Sequence, residues 1–295
     1  MPFQEYLNEE INRVKGVYYP VRASLLRRLL VRKARCKSLH PNPEDEFCQP
    51  GIGPNNGIIS RYKKDYTYYT GNPTARMFTE GGILEPLIVQ RTMPDGYMIL
   101  NGHHRWAGAI QAGLKRVSVK IVNLTQEADI REMLRRANSD KRVTLDLDEV
   151  VFSAQSADCL ERPLPFPMNR IYRERIRLGI PALFHYLNEH GYDIWVYTSK
   201  YYSMEYIRGC FRRRKVRLDG IVTGAGRRAR WGSDAAGTLK KLMESKYSAT
   251  FHIDNESVMR VASGSGECEE VRLSGSAHDW VREVMDAIGV LTNHE

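Results

Sequence analysis

Three short apolar runs in the second half of the chain break off in acids or hydroxyls, and this repetition constrains the fold more than any other feature. Val143-Thr144-Leu145 leads into Asp146-Leu147-Asp148-Glu149, Ile194-Trp195-Val196-Tyr197 into Thr198-Ser199, and Thr250-Phe251-His252-Ile253 into Asp254-Asn255-Glu256. Short runs rich in β-branched and aromatic residues predict buried strands, here at 142–147, 193–197 and 249–253, with another at 218–222. Helical periodicity predicts helices at 180–190, 204–212, 235–244 and 277–288. Strand and helix in alternation predict an α/β domain, a doubly wound parallel sheet covered on both faces. Ligands in such a domain collect at the carboxyl ends of the strands.

A carboxylate at such a strand end is costly to desolvate unless it meets a cation, and two carboxylates from separate strands can share one Mg2+ through hard oxygen ligands. The order Asp146-Leu147-Asp148-Glu149-Val150, then Thr198, then Asp254, resembles the haloacid dehalogenase (HAD) superfamily over about residues 140–290. An acidic pair alone is common in surface turns, whereas three motifs in order after three strands are specific. The resemblance implies a Rossmann-like phosphohydrolase in which Asp146 attacks phosphorus and Asp148 acts as acid and then base. It places Mg2+ on Asp146, Asp148 (through its backbone carbonyl) and Asp254, and phosphate on Thr198, Ser199 and Lys240. Two departures stand out. The helix before the last motif opens Ser233-Asp234-Ala235, without the family's lysine, so Lys240 or an arginine from Arg227, Arg228 or Arg230 has to substitute. Asn255 stands where a second acid is usual, with Glu256 as the nearest replacement. The stretch from Phe152 to Gly179 is short for a large cap, which predicts an open site.

The first half reads differently. Leucines at 25, 26, 29 and 30 and apolar residues at 6, 11 and 14 predict helix over residues 1–35, interrupted by Pro20. Residues 39–72, rich in Pro, Gly and Asn, predict a long loop. A hairpin at 87–90 and 97–100, a helix at 105–112, a strand at 117–122 and a helix at 124–139 follow, and the domain boundary is expected after it, giving domains 1–138 and 139–295. Asn101-Gly102-His103-His104-Arg105 lies between a strand and a helix, where backbone N–H groups and the helix dipole favour phosphate. With Ile83-Leu84-Glu85-Pro86-Leu87-Ile88-Val89 before it, this box resembles the ParB/sulfiredoxin superfamily over about residues 35–123. That resemblance implies a small α+β domain that binds ATP, ADP or CTP through Gly102, His103, His104 and Arg105. The histidine pair is most similar to the free-serine kinases, in which an acid of the early loop acts as base; Glu44, Asp45 and Glu46 are the candidates, Glu46 preferred.

A chain of 295 residues suits two cores, and 42% apolar against 27% charged residues leaves no tract too polar to pack. No run reaches the roughly 18 apolar residues needed to cross a bilayer, and Met1-Pro2-Phe3-Gln4-Glu5 lacks a basic segment followed by an apolar one. Five scattered cysteines form no C-x-x-C pair, and Cys36, His40 and Cys48 match no common zinc spacing. These features predict a cytoplasmic protein with reduced thiols and no membrane partner. The net charge of +9 favours anionic partners, whether nucleotide, phosphorylated substrate or nucleic acid. The leading expectation is therefore a bifunctional phosphoryl-transfer enzyme, a nucleotide-binding domain or kinase joined to a Mg2+-dependent phosphatase. The alternative is a nucleic-acid-associated protein, either an end-processing phosphatase or a partition-like regulator, although no helix-turn-helix follows residue 123.

Overall fold

The computed structural model describes residues 3–71, 85–152, 159–224, 241–275 and 278–293. Its contacts divide the chain into unit 1, Met1–Asn123, and unit 2, Leu124–Glu295. This division falls earlier than the boundary at 138/139 read from the sequence. The reason lies in the helix that follows residue 124. Thr125 accepts from and donates to the last strand of the parallel set, through Thr223 and the Ile221 carbonyl, and the Met133 sulfur accepts from Ile221 N at 3.4 Å.

Unit 1 begins with α1 (Phe3–Val14), β1 (Tyr19–Pro20), α2 (Leu25–Arg28), β2 (Arg32–Arg35) and β3 (Leu39–His40). It continues through α3 (Asn56–Gly71), β4 (Leu87–Met93), β5 (Tyr97–Asn101), α4 (His103–Gln111) and β6 (Arg116–Ile121). The sheet runs β2-β6-β4-β5-β3, with β1 beside β4. Two expectations change here. Helix does not extend over residues 1–35: Pro20 has no N–H to continue one, and Arg32–Arg35 alternates around a buried Ala34 as an edge strand. The leucines at 25, 26, 29 and 30 have helical spacing but lie 49–74% exposed around a helix of four residues. Nor is 39–72 all loop. Ile59, Tyr62 and Tyr66 place an apolar stripe on α3, which packs on α4 where Gly108 presents no side chain.

Unit 2 contains α5 (Glu127–Arg136), β7 (Lys141–Asp146), α6 (Met168–Ile171), α7 (Ile180–Glu189) and β8 (Tyr192–Thr198). After these come α8 (Met204–Arg212), β9 (Gly220–Thr223), β10 (Ala249–Ile253), β11 (Ser257–Ala262), β12 (Cys268–Arg272) and α9 (Trp280–Asn293). The sheet order is β12-β11-β10-β7-β8-β9, in which β10, β7, β8 and β9 are parallel and the β11–β12 hairpin is antiparallel. The hairpin was not foreseen, because its residues are half-exposed and include Glu269, Glu270 and Arg272 rather than an apolar run. Leu145, Ile194, Val196 and Phe251 of the strands pack with Leu183, Phe184 and Leu187 of α7 in one core. Sequence order proceeds outward from β7 through β8 to β9, then returns to β10 on the other side. The order thus reverses between β7 and β10, which opens a crevice at their carboxyl ends. Among the described residues no helix is long and apolar enough to cross a membrane.

A Cβ at residue 108 would stand 2.7 Å from Tyr62 Cβ and 3.0 Å from Lys63 N. Gly108→Ala is therefore expected to push α3 off α4 and to destabilise unit 1 by about 1–3 kcal/mol, measured by denaturant unfolding.

Candidate functional site

The carboxyl edge of the parallel strands in unit 2 brings the sequence-predicted residues together. Register pairs Leu145 with Ile253 and Asp146 with Tyr197, so Asp146, Thr198 and Asp254 leave adjoining strands on the same edge. Asp146 Oδ1 accepts from Asp148 N at 2.6 Å and Glu149 N at 2.8 Å, a cap on the turn that follows β7. Its Oδ2 makes no hydrogen bond among the described residues. Asp148 turns the other way: its Oδ2 accepts from Thr198 Oγ1 at 2.7 Å and from Ser199 Oγ at 3.5 Å. Both hydroxyls assigned to phosphate thus point at Asp148 instead. Asp148 Oδ1 is buried and accepts no hydrogen bond, yet the Lys200 ammonium lies 3.2 Å from it. The two observations are compatible, since a cation at that distance neutralises an oxygen without a well-angled bond.

Lys200 is the residue that the sequence reading missed. It follows Thr198-Ser199 directly, whereas the resemblance places the lysine in the helix before the last motif. Lys240 and the arginines at 227, 228 and 230 lie outside the described residues.

The third loop is fixed by Asn255. Its Nδ2 donates to the Glu149 carbonyl at 3.1 Å, its Oδ1 accepts from Arg177 Nη1 at 2.9 Å, and its carbonyl accepts from Trp280 Nε1 at 3.0 Å. Arg177 is buried with its guanidinium 4.1 Å from the centre of the Trp280 ring, and burial pushes its pKa down. Asn255 therefore ties loops together and does not act as a second acid. Asp254 is exposed, with its Oδ1 accepting from Asn255 N at 2.7 Å. Among the described residues no three His, Cys, Asp or Glu side chains converge as a metal cluster. The donor set still fits Mg2+, an ion usually held by one or two carboxylates while keeping waters and substrate oxygens. Asp146 and Asp254 would be those carboxylates, and Asp148 would contribute its carbonyl, not its side chain.

In unit 1, Gly102 caps α4 at φ +100°, a left-handed conformation in which a Cβ would lie 2.5 Å from Leu87 Cδ2. Both histidines face the loop at 42–55. His103 Nε2 accepts from Asn42 N and His104 Nε2 from Asn55 N, each at 3.1 Å, and both rings pack on Phe47. Asp45 Oδ1 lies 3.5 Å from His103 Nδ1, while Glu46 is exposed, so Asp45 is the acid brought nearest the pair. Arg105 is buried and turned inward. Its Nη1 donates to the Glu85 carbonyl at 2.6 Å and its Nη2 to Asn101 Oδ1 at 2.8 Å. It binds the start of β4 to the end of β5, and the expected phosphate clamp is instead engaged with protein.

With both sites described, the relatives can be placed. Residues 74–137 match the family model of the ParB N-terminal domain. The match includes the Gly102–Arg105 box and α5; its residues 74–84 lie outside the described ones. No curated protein matches the chain. Among solved structures it is similar to the C-terminally truncated chromosome-partitioning protein ParB from Caulobacter crescentus complexed with CTP-gamma-S. Identity there is 27% over 38% of this chain and 56% of that one, with a TM-score of 0.24. The same protein complexed to the centromeric parS site gives 26%, 36%, 49% and 0.22. The chain thus spans about half the length of the partition proteins it matches. A free serine kinase in complex with AMP gives 13% identity over 86% of this chain and 96% of that one, with a TM-score of 0.22.

Burial pushes the His104 imidazole below its ordinary 6.5, with Asp45 acting in the opposite direction. An imidazole depressed in this way holds fewer protons folded than unfolded. Its contribution is complete above pH 6.5 and is lost as pH falls through the depressed folded-state value. Thermal unfolding of the full chain should show unit 1 melting earlier in mild acid, and His104→Gln should flatten that dependence.

Proposed function

We propose that unit 2 is a Mg2+-dependent phosphomonoesterase of the haloacid dehalogenase type and that unit 1 is a nucleotide-binding domain. The observation that carries the first part is the convergence of Asp146, Thr198 and Asp254 on one strand edge, with the Asp148 carboxylate held by Thr198 and Lys200. The Asp146 carboxylate attacks phosphorus as the ester P–O bond breaks, and Asp148, in its protonated form, passes its proton to the leaving oxygen. Asp148 then takes a proton from the water that attacks the aspartyl-phosphate, which releases phosphate and restores Asp146. Thr198 fixes the direction of the Asp148 carboxyl throughout. Lys200 supplies the positive charge that the family places on another lysine, and Lys240 completes the phosphate-binding set. Mg2+, when held by Asp146, Asp254 and the Asp148 carbonyl, would neutralise the phosphoryl oxygens. The short segment between 152 and 179 fits an open site that takes bulky substrates.

The second part rests on the ParB N-terminal domain match and on the backbone N–H groups at the start of α4, preceded by Gly102. ATP, ADP or CTP is the ligand class, His103 and His104 form the wall against the 42–55 loop, and Arg105 ties the start of β4 to the end of β5 beside them. In the kinase form of this reading the base is Asp45, which lies nearest the histidines, or Glu46. Nucleotide and phosphorylated substrate make the chain a bifunctional phosphoryl-transfer enzyme. In the nucleic-acid-associated alternative, the same Asp146 removes a phosphate from a strand end.

Hydrolysis of p-nitrophenyl phosphate with Mg2+ tests the reading. Asp146→Asn is expected to lower kcat by about a thousand-fold or more, and Lys200→Met by about ten- to a thousand-fold. Full activity in Asp146→Asn would remove the nucleophile. Calorimetry with ATP, ADP and CTP should detect binding to the same preparation, and no heat from any of the three would remove the nucleotide site.

A further inference from the structure

Strand β2 is the edge of the unit 1 sheet and pairs with β6 alone, with Lys33 opposite Ser118, Ala34 opposite Val117 and Arg35 opposite Arg116. Two like charges directly opposite in an antiparallel pair cost stability. Lys33, Arg35 and Arg116 are all exposed, and none makes an ion pair among the described residues. Acids are missing from the surrounding sequence as well. Residues 11–43 contain nine Lys and Arg and no Asp or Glu, and residues 96–126 contain four and none. Over this edge opens a cavity of about 430 Å³ whose lining includes Arg32, Lys33, Arg35, Ser38 and Tyr97, with no carboxylate.

Charges on an edge strand discourage edge-to-edge pairing, but that role needs neither a cation facing a cation nor a cavity. We propose that this edge binds the sugar-phosphate backbone of a nucleic acid. Lys33 and Arg35 stand on one side of the strand about 7 Å apart, a spacing that serves two successive anionic groups rather than one. Arg116 extends the cationic row onto β6, and the Tyr97 ring in the same cavity offers a stacking surface for a base or sugar. A bilayer is the competing anionic surface, because Leu25, Leu26, Leu29 and Leu30 are exposed nearby in sequence. The cations, however, line a concavity, which suits a strand laid into it better than a flat membrane. The proposal is independent of the phosphatase reading, since no residue of the unit 2 site takes part.

Fluorescence anisotropy of the full chain with a labelled single strand of about 20 nucleotides tests it. Binding at about 50 mM salt should weaken steeply toward 200 mM. Lys33→Gln with Arg35→Gln should reduce affinity at least about tenfold and flatten the log–log salt slope by about 1.4. Arg116→Gln, on the partner strand, should act in the same direction and covers the case in which the double variant fails to fold, as checked by circular dichroism. Arg212→Gln with Arg213→Gln, from another basic cluster, should leave affinity unchanged. The proposal is overturned by absence of binding at low salt, an unchanged slope in the double variant, or an equal loss in the Arg212/Arg213 control. It is also overturned by tighter binding to phosphatidylserine vesicles, or by ATP competing as well as unlabelled strand.

Discussion

Carboxylates at the ends of buried parallel strands must meet positive charge or N–H groups, and the carboxyl edge of unit 2 is organised by that need. Asp146 is satisfied on one oxygen by the two backbone N–H groups of its own turn. Asp148 relies on the Thr198 hydroxyl and the Lys200 ammonium. The two acids of one turn are thus differentiated by their surroundings, one held by backbone N–H groups and the other by a hydroxyl and an ammonium. Two carboxyl groups so divided suit a nucleophile and an acid–base partner.

Unit 1 solves a related problem with neutral groups. The loop at 42–55 would leave backbone N–H donors unpaired, and the imidazoles of His103 and His104 accept two of them. Burial favours the neutral imidazole at His104, the form able to accept. Arg105 spends its guanidinium on a main-chain carbonyl and an amide, so the shape of the box comes from the side chain first expected to touch ligand.

Much of unit 2 was legible because its strands are nearly continuous apolar runs and its helices carry a clear 3.6-residue stripe. Three parallel strands and the acids or hydroxyls at their ends fall where the runs end. The β11–β12 hairpin was illegible for the opposite reason: half-exposed strands with charged residues have no run to read. In unit 1 the leucines of 25–30 misled, since helical spacing signals burial only when a core is there to receive it. Helix α3 was hidden by the Pro, Gly and Asn residues just before it, although Ile59, Tyr62 and Tyr66 carry the period. Of the sites, residue identity showed which groups were available, but direction was invisible. Nothing in the sequence says that Thr198 turns to Asp148, that Arg105 turns inward, or that Lys200 and Asp45 are the nearer charges.

Asn255 shows what such a contact implies for the rest of a loop. A primary amide offers a donor and an acceptor on one planar group, and here the donor meets a carbonyl while the acceptor meets a buried guanidinium. A carboxylate in its place would satisfy Arg177 but turn an oxygen lone pair toward the Glu149 carbonyl. The turn after β7 and the loop after β10 are consequently bolted through a residue that must stay uncharged. The charge count of the crevice is then fixed by the architecture, and Asp254 is the acid this loop can lend to a cation beside it.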